Sequence, residues 1–337
     1  MKRAGANTVI FESHPGVISA ASSVGKAESK GPLAACFDVK NENDGISCGT
    51  WEHAEAALVK QATDAALKKA DLSPADIQIA FAGDLLNQCT ASTFGFREKS
   101  IPMAGLFGAC STFALSLFLA AAAVDSGMAS LALAEASSHF CAAEKQFRFP
   151  LEYGGQRTPT AQRTVTGAGA AIIGKNSKKI AIRAGTVGRI TDYGIKDMTN
   201  MGAAMAPAAA ATIAAFLKDT NTSPDDYDMI LTGDLGRIGS EILVELMQRE
   251  YAIDIKKAHA DCGVMIFDGN MQDTHAGGSG CGCSAAVICS TIVSKLESGQ
   301  LNRVLFAGTG ALMSPLTVYQ GDTIPCIAHA VYLTNEE

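Results

Sequence analysis

Phe107-Gly-Ala-Cys-Ser-Thr-Phe-Ala-Leu-Ser-Leu-Phe-Leu-Ala-Ala-Ala-Ala-Val124 decides the fold. It belongs to a run from Ile101 to Val124 that holds no charged residue. A run of that length first suggests a membrane span. Pro102, Gly105 and Gly108 fall at its front and shorten the continuous helix to about 15 residues, too few for a hydrocarbon layer of ~30 Å. A helix that is apolar all round is otherwise buried on every side. Cys110 stands at its head. A helix N-terminus favours the thiolate, so the position predicts a lowered thiol pKa, and either a nucleophile or a pocket aimed at an anion.

The composition suits such a core. Of 337 residues, 47% are hydrophobic and only 18% charged, with 33 glycines. This is the profile of a large multilayer α/β protein. The net charge of −7 gives no footprint for nucleic acid, and no polybasic segment suits anionic lipid. Met1 to Ile10 lacks the apolar core of a signal peptide. Ten cysteines are scattered through apolar segments, which argues for a reduced, cytoplasmic chain rather than a disulfide framework. Cys281-Gly-Cys283, with His275 or Cys262 near, matches no trusted zinc spacing. No metal and no cofactor are expected.

Outward from the central run, the chain repeats itself. Ser73-Pro-Ala-Asp-Ile-Gln-Ile-Ala-Phe-Ala-Gly-Asp-Leu85 aligns with Ser223-Pro-Asp-Asp-Tyr-Asp-Met-Ile-Leu-Thr-Gly-Asp-Leu235. Each copy follows a helical pattern and reads as a turn and a buried strand. After the first copy comes the Cys110 helix; after the second comes Gly277-Gly-Ser-Gly-Cys-Gly-Cys-Ser284 and a second uncharged helix. Each helix is followed by an apolar strand and one closing strand, Gly169–Gly174 and Ala328–Leu333. The halves are 1–175, with an insert at 140–163, and 176–337. Alternating strands and helices argue for parallel-type sheets. Two wholly apolar helices should lie together between two sheets, with amphipathic helices outside, in five layers α-β-α-β-α. Cys110 should then face the Gly277–Cys283 loop.

A cysteine in Gly-Ala-Cys-Ser-Thr at the head of a central helix, within two similar halves, resembles the thiolase and ketoacyl synthase superfamily over nearly the whole chain. Gly83-Asp-Leu-Leu-Asn-Gln88, Ala136-Ser-Ser-His139, Phe147-Arg-Phe-Pro-Leu-Glu-Tyr-Gly-Gly-Gln156, Thr164-Val-Thr-Gly167 and Ala203-Ala-Met-Ala-Pro207 narrow the likeness. They resemble the stage V sporulation branch of that superfamily, from endospore-forming bacteria. The resemblance implies binding of dipicolinic acid (pyridine-2,6-dicarboxylate) and its loading into the developing spore. It also implies partners among the other stage V sporulation A-operon proteins at the spore inner membrane. This chain would lie peripherally on the cytoplasmic face, and thiolase-fold proteins imply a homodimer.

Catalytic acyl transfer needs partners for the cysteine. Where initiating ketoacyl synthases carry a His, this chain has Gly233-Asp234; where they carry Gly-Asn-Thr, it has Gly280-Cys-Gly-Cys283. The thiolase His-Pro-x-Gly is absent, and Gly308-Thr-Gly-Ala-Leu312 replaces the segment of the second thiolase cysteine. Cys110 is thus a nucleophile position without its partners, and Asp234 would raise the thiol pKa. The expected function is a non-catalytic binding protein. An acyl-CoA condensing enzyme or thiolase using Cys110, and a docking scaffold for sporulation membrane proteins, remain the alternatives.

A planar dicarboxylate calls for cations, helix-end N–H groups and an aromatic wall. The insert supplies Arg148, Gln156, Arg157 and Arg163, interleaved with Phe147, Phe149 and Tyr153; in the superfamily this insert covers the pocket mouth. Arg148, Tyr153, Gln156 and Arg157 are the candidates there. His139 follows a strand end, where α/β ligand sites lie. His329 sits in the closing strand, either structural or pointing inward beneath Cys110. Asn87 has no twin in the repeat and is a ligand candidate, as is Cys281 opposite Cys110. Asp84 and Asp234 are twins and both read as turn caps, and Asp234, near the pocket, is also a ligand candidate.

Overall fold

A computed structural model describes residues 1–147, 156–175, 177 and 179–335. The two Ser-Pro segments fold alike. Asp76 and Asp226 each accept from the backbone N–H and hydroxyl of the serine three residues earlier, and close a capping box on a single turn. A buried strand follows each turn.

The N-terminal half contributes strands β1 (Gly16–Val24), β2 (Ile79–Gly83), β3 (Met103–Gly105), β4 (Leu131–Ser138) and β5 (Gly167–Gly174). The C-terminal half contributes β6 (Ala181–Thr186), β7 (Met229–Thr232), β8 (His259–Asp261), β9 (Arg303–Ala311) and β10 (Cys326–Thr334). Their orders correspond strand for strand: β1-β5-β4-β2-β3 and β6-β10-β9-β7-β8. The two sheets touch through one pairing, Ala181 against Gly16. The sheets are mixed rather than parallel. Pairs β2–β3, β2–β4, β7–β8 and β7–β9 are parallel. The closing strands β5 and β10 run antiparallel to both neighbours. The insert that begins with the helix at Phe140 leads into β5, and a segment with a short helix, Pro315–Tyr319, leads into β10; both join antiparallel neighbours rather than cross over between parallel strands, so the βαβ argument does not apply to them.

Helix α1 (Trp51–Lys69) covers the outer face of the first sheet; α4 (Met201–Thr220) and α5 (Gly236–Tyr251) cover that of the second. Between the sheets lie α2 (Thr112–Asp125) and α6 (Cys281–Val287), which continues through a π-helical turn at Ile288–Ile292. This is the expected five-layer order. Phe113, Leu117, Ala120 and Ala121 of α2 are essentially unexposed. Burying side chains the size of Phe113 and Leu117 contributes about 1.5–3 kcal/mol each. Glycine sets the spacing of the layers. A Cβ on Gly308 of β9 would lie 2.6 Å from the Ala114 Cβ of α2, and one on Gly169 of β5 would lie 2.2 Å from the Ala285 carbonyl oxygen of α6. Each central helix thereby rests on the sheet of the other half.

Helix α3 (Phe140–Phe147) follows β4 and begins the insert. Among the described residues only α4 is long and apolar enough to cross a membrane, and 72% of its apolar window is buried within this fold.

Candidate functional site

The backbone turns sharply before α2. Ala109 has φ 49°, and the Ser111 and Thr112 hydroxyls donate to the carbonyls of Gly108 (2.6 Å) and Ala109 (2.7 Å). Helix α2 starts at Thr112 with Ser111 as its N-cap, so Cys110 precedes the first turn instead of lying in it. Its side chain points across the molecular centre to the second half. The Cys110 Sγ lies 4.0 Å from Ser279 Oγ, in the Gly277–Cys283 loop that the repeat placed opposite.

Asp234 organises this contact. Its Oδ2 accepts from Gly280 N–H (2.8 Å) and Ser279 Oγ (3.1 Å), and its Oδ1 accepts from Thr309 Oγ1 (2.8 Å). The Asp234 carboxylate also lies near enough to the Cys110 thiol to act on its charge. Gln162 ties the two loops together, its Nε2 donating to the carbonyls of Asp234 (2.6 Å) and Gly278 (2.7 Å). A two-residue parallel ladder, Gly278–Ser279 beside Arg163–Thr164, fixes the remaining wall.

The electrostatics reverse the expected thiol chemistry. Burial pushes the Cys110 thiol well above its ordinary value, and the Asp234 charge pushes it further. The helix N-terminus does not prevail, because the sulfur is buried and faces a carboxylate. Burial also raises Asp234, to about 6, against the hydrogen bonds from Thr309 and Gly280 that favour its charge. Near neutral pH the pair is therefore a neutral thiol against a carboxylate.

Above Cys110 opens a cleft whose empty space, about 450 Å³, runs into open solvent. Leu85, Phe107, Ala143, Phe147, Met201 and Met313 form its apolar walls, with Thr164 and Ser279 as hydroxyls near the floor. Among the described residues no histidine, lysine or arginine lines it.

The structure gathers Cys110 and Asp234 and disperses most of the other candidates. Cys281 is buried behind the floor, its thiol donating to the Ser137 carbonyl at 2.9 Å. His139 is wholly buried; its ring contacts Asp44, Cys141 and Ala142 and stacks on Trp51, so it stands behind the cleft wall. His329 does not line the cleft: its Nδ1 accepts from Gly188 N–H at 3.2 Å, and burial lowers its pKa to about 4. Asn87 is engaged by Gln146 of α3. Arg157 is spent on Asp273, bonding its carbonyl (2.6 Å) and carboxylate (3.3 Å). Gln156 is exposed. Arg148 and Tyr153 lie outside the described residues.

Sequence reasoning missed Gln162, Ser279 and Thr309. Ser279 lies in the loop expected opposite Cys110 but is not itself singled out by the sequence, and Thr309 lies in a segment noted only for the motif it lacks. It also missed the difference between the twin aspartates. Asp84 accepts from Leu86 N–H (2.9 Å) and from the Ser92 N–H (2.8 Å) and hydroxyl (2.7 Å), so it caps its own turn as expected. Asp234 does not. The matching turn is held by Asp261, at the end of β8, which accepts from Leu235 N–H (2.8 Å) and Gly236 N–H (3.0 Å).

Comparison with known proteins agrees with this architecture. The family model for stage V sporulation protein AD matches residues 5–334. Stage V sporulation protein AD of Bacillus subtilis (strain 168) is 46% identical over 332 residues, covering 98% of this chain and 97% of the relative. Solved structures share the fold at low identity. Cerulenin-bound OleA of Xanthomonas campestris aligns at TM-score 0.61 and 15% identity, covering 99% of both chains. The 3-oxoacyl-[acyl-carrier-protein] synthase III of Aquifex aeolicus VF5 aligns at TM-score 0.55 and 13% identity, covering 95% of this chain and 99% of that one. With its two matched half-sheets around a buried Cys110, this chain belongs to the stage V sporulation protein AD family, on a thiolase-like fold.

Proposed function

We propose that this sporulation protein binds dipicolinic acid in the Cys110 cleft without chemical turnover and supports its uptake into the developing spore. The observation that carries the reading is Asp234, a carboxylate where acyl transfer would need a base and oxyanion donors around the cysteine. Removing a single oxyanion donor slows such chemistry on the order of 10²–10³-fold. A neutral thiol beside a carboxylate is a weak nucleophile, yet it makes a well-shaped pocket floor.

The cleft suits the ring of the ligand better than its charges. Phe107 and Phe147 offer aromatic faces, and Thr164 and Ser279 offer hydroxyl donors. The carboxylates call for cations, for which the sequence offers Arg148. The protein would act as a homodimer, peripheral to the inner membrane and beside the other proteins of its operon. Calorimetry of the pure protein with millimolar dipicolinate, and benzoate as control, tests the reading. Saturable binding that weakens in Arg148→Ala is expected; no heat beyond the benzoate control would overturn it.

A further inference from the structure

His139 does not line the cleft, yet it holds the helix that does. Its Nδ1 accepts from the N–H groups of Cys141 (3.2 Å) and Ala142 (3.4 Å), at the start of α3. Its Nε2 reaches the Asp44 carbonyl oxygen at 2.8 Å. Accepting at one nitrogen and donating at the other assigns the neutral tautomer protonated on Nε2. A second proton, on Nδ1, would face two N–H donors. Helix α3 carries Ala143 and Phe147 into the cleft wall. Other ties hold it as well: Lys145 to Glu52 (2.8 Å), the Gln146 side chain to the Leu85 carbonyl (3.2 Å) and Asn87 (3.3 Å), and Ala142 packed against Leu86 and Ala91.

The other end of the imidazole meets a strained turn. Ile46 has φ 47° and Ser47 φ 57°. A β-branched residue rarely adopts the left-handed region and stays there only when its surroundings hold it. The Asp44 carbonyl, two residues before Ile46, is one such hold.

We propose that His139 is a positioning residue for the Cys110 cleft: its neutral imidazole latches α3 to the 41–50 turn, and its protonation releases the latch and loosens the cleft wall. The link to ligand rests on the dipicolinate reading above; the latch itself does not. The charged groups around the ring are Asp44, whose carboxylate accepts from Lys26 N–H, and Glu52, paired with Lys145. Glu28 lies beneath Thr166, whose hydroxyl accepts from Phe140 N–H, and the Arg163 guanidinium sits 4.0 Å over the Phe140 ring. Burial of the ring lowers the His139 pKa more than Asp44 and Glu52 raise it. The latch is closed at neutral pH and opens below the ordinary histidine range.

The chain supplies its own probe. Its only tryptophan, Trp51, stacks on His139 with ring centroids 5.6 Å apart. In the full-length protein, Trp51 emission titrated from about pH 8 to pH 5 should stay level, then change with a midpoint below the ordinary 6.5. His139→Asn keeps a helix-capping oxygen but cannot span to Asp44. That variant should lose the Trp51 response and, at pH 8, should raise iodoacetamide labelling of Cys110, read by peptide mass spectrometry, about fivefold or more. Dipicolinate affinity should fall by a similar factor. A wild-type midpoint at or above 6.5, or wild-type Cys110 labelling in folded H139N, overturns the latch. If H139N does not fold, hydrogen exchange on the wild type decides. Exchange at 140–147, corrected for intrinsic rates, should quicken selectively at about pH 5.5, and unchanged protection there overturns the latch. If wild type binds no dipicolinate, the ligand reading fails alone, since fluorescence and labelling still judge the latch.

Discussion

Asp84 and Asp234 end the same motif in the two halves, and they do different work. Asp84 folds back on its own turn and takes the N–H of Leu86. Gly236 is the matching residue in the second half, and its N–H goes to Asp261. The cause lies on the neighbouring strand. Residue 82 pairs with Gly105 on β3, while its counterpart Thr232 pairs with Asp261 on β8. The first half has a glycine where the second has a carboxylate, so Asp84 must cap its turn itself. Asp261 relieves Asp234 of that task, and Asp234 turns inward to Ser279, Gly280, Thr309 and the Cys110 thiol. One residue on an edge strand thus converts a structural aspartate into one that sets the chemistry of the site.

The comparison breaks most readily at Asp261, which accepts from Thr232 Oγ1 and from the N–H groups of Leu235, Gly236 and Val264. Asp261→Ala leaves these buried donors unpaired. Breaking a buried network of this kind is expected to destabilise by about 3–5 kcal/mol, measured by urea unfolding. Stability within about 1 kcal/mol of wild type would show that the turn does not depend on Asp261.

Asp84→Ala removes a cap with three donors and should cost less, about 2–3 kcal/mol, without changing Cys110 reactivity. A change in Cys110 labelling in this variant would mean that the halves are not divided as described.

An effect of opposite sign belongs to the first half alone. Glu135 and Glu55 are buried near Asp84, and both oxygens of Glu135 lack a partner among the described residues. Burial first, then the neighbouring Asp84 charge, raises both carboxyls well above their ordinary value. A raised carboxyl pKa stabilises the fold fully below the unfolded value of 4.5 and loses that contribution as pH climbs toward the folded value. The slope approaches about 1.4 kcal/mol per pH unit for each such group. Glu135→Gln stays neutral, so its stability should decline less steeply between about pH 5 and pH 8. Parallel curves for wild type and variant would exclude Glu135 as a source of the pH dependence.

Much of this was legible in the sequence. The repeat, the uncharged run and the turn residues before Cys110 gave the layers, the pairing of the halves and the loop opposite Cys110, because burial leaves a periodic mark on composition. Strand direction was less legible: apolar runs such as Gly169–Gly174 look alike in parallel and antiparallel sheets. The site was the least legible. His139, His329 and Arg157 carry the right chemistry for a ligand, but each is spent on a backbone group that no sequence spacing reveals. The divergence of Asp84 and Asp234 depends on Gly105 against Asp261, residues distant from both along the chain and adjacent only across the sheet.

The central claim is that burial and the Asp234 charge together hold Cys110 neutral, and the pH dependence of Cys110 alkylation in wild type and Asp234→Asn tests it most directly. Followed by peptide mass spectrometry, wild-type Cys110 should titrate well above the ordinary thiol value of 9.0. Asp234→Asn should bring the midpoint down by about one pH unit or more, the equivalent of roughly 1.4 kcal/mol of lost charge repulsion. A wild-type midpoint below that ordinary value, or no shift in the variant, would contradict the account and return Cys110 to the role of a poised nucleophile.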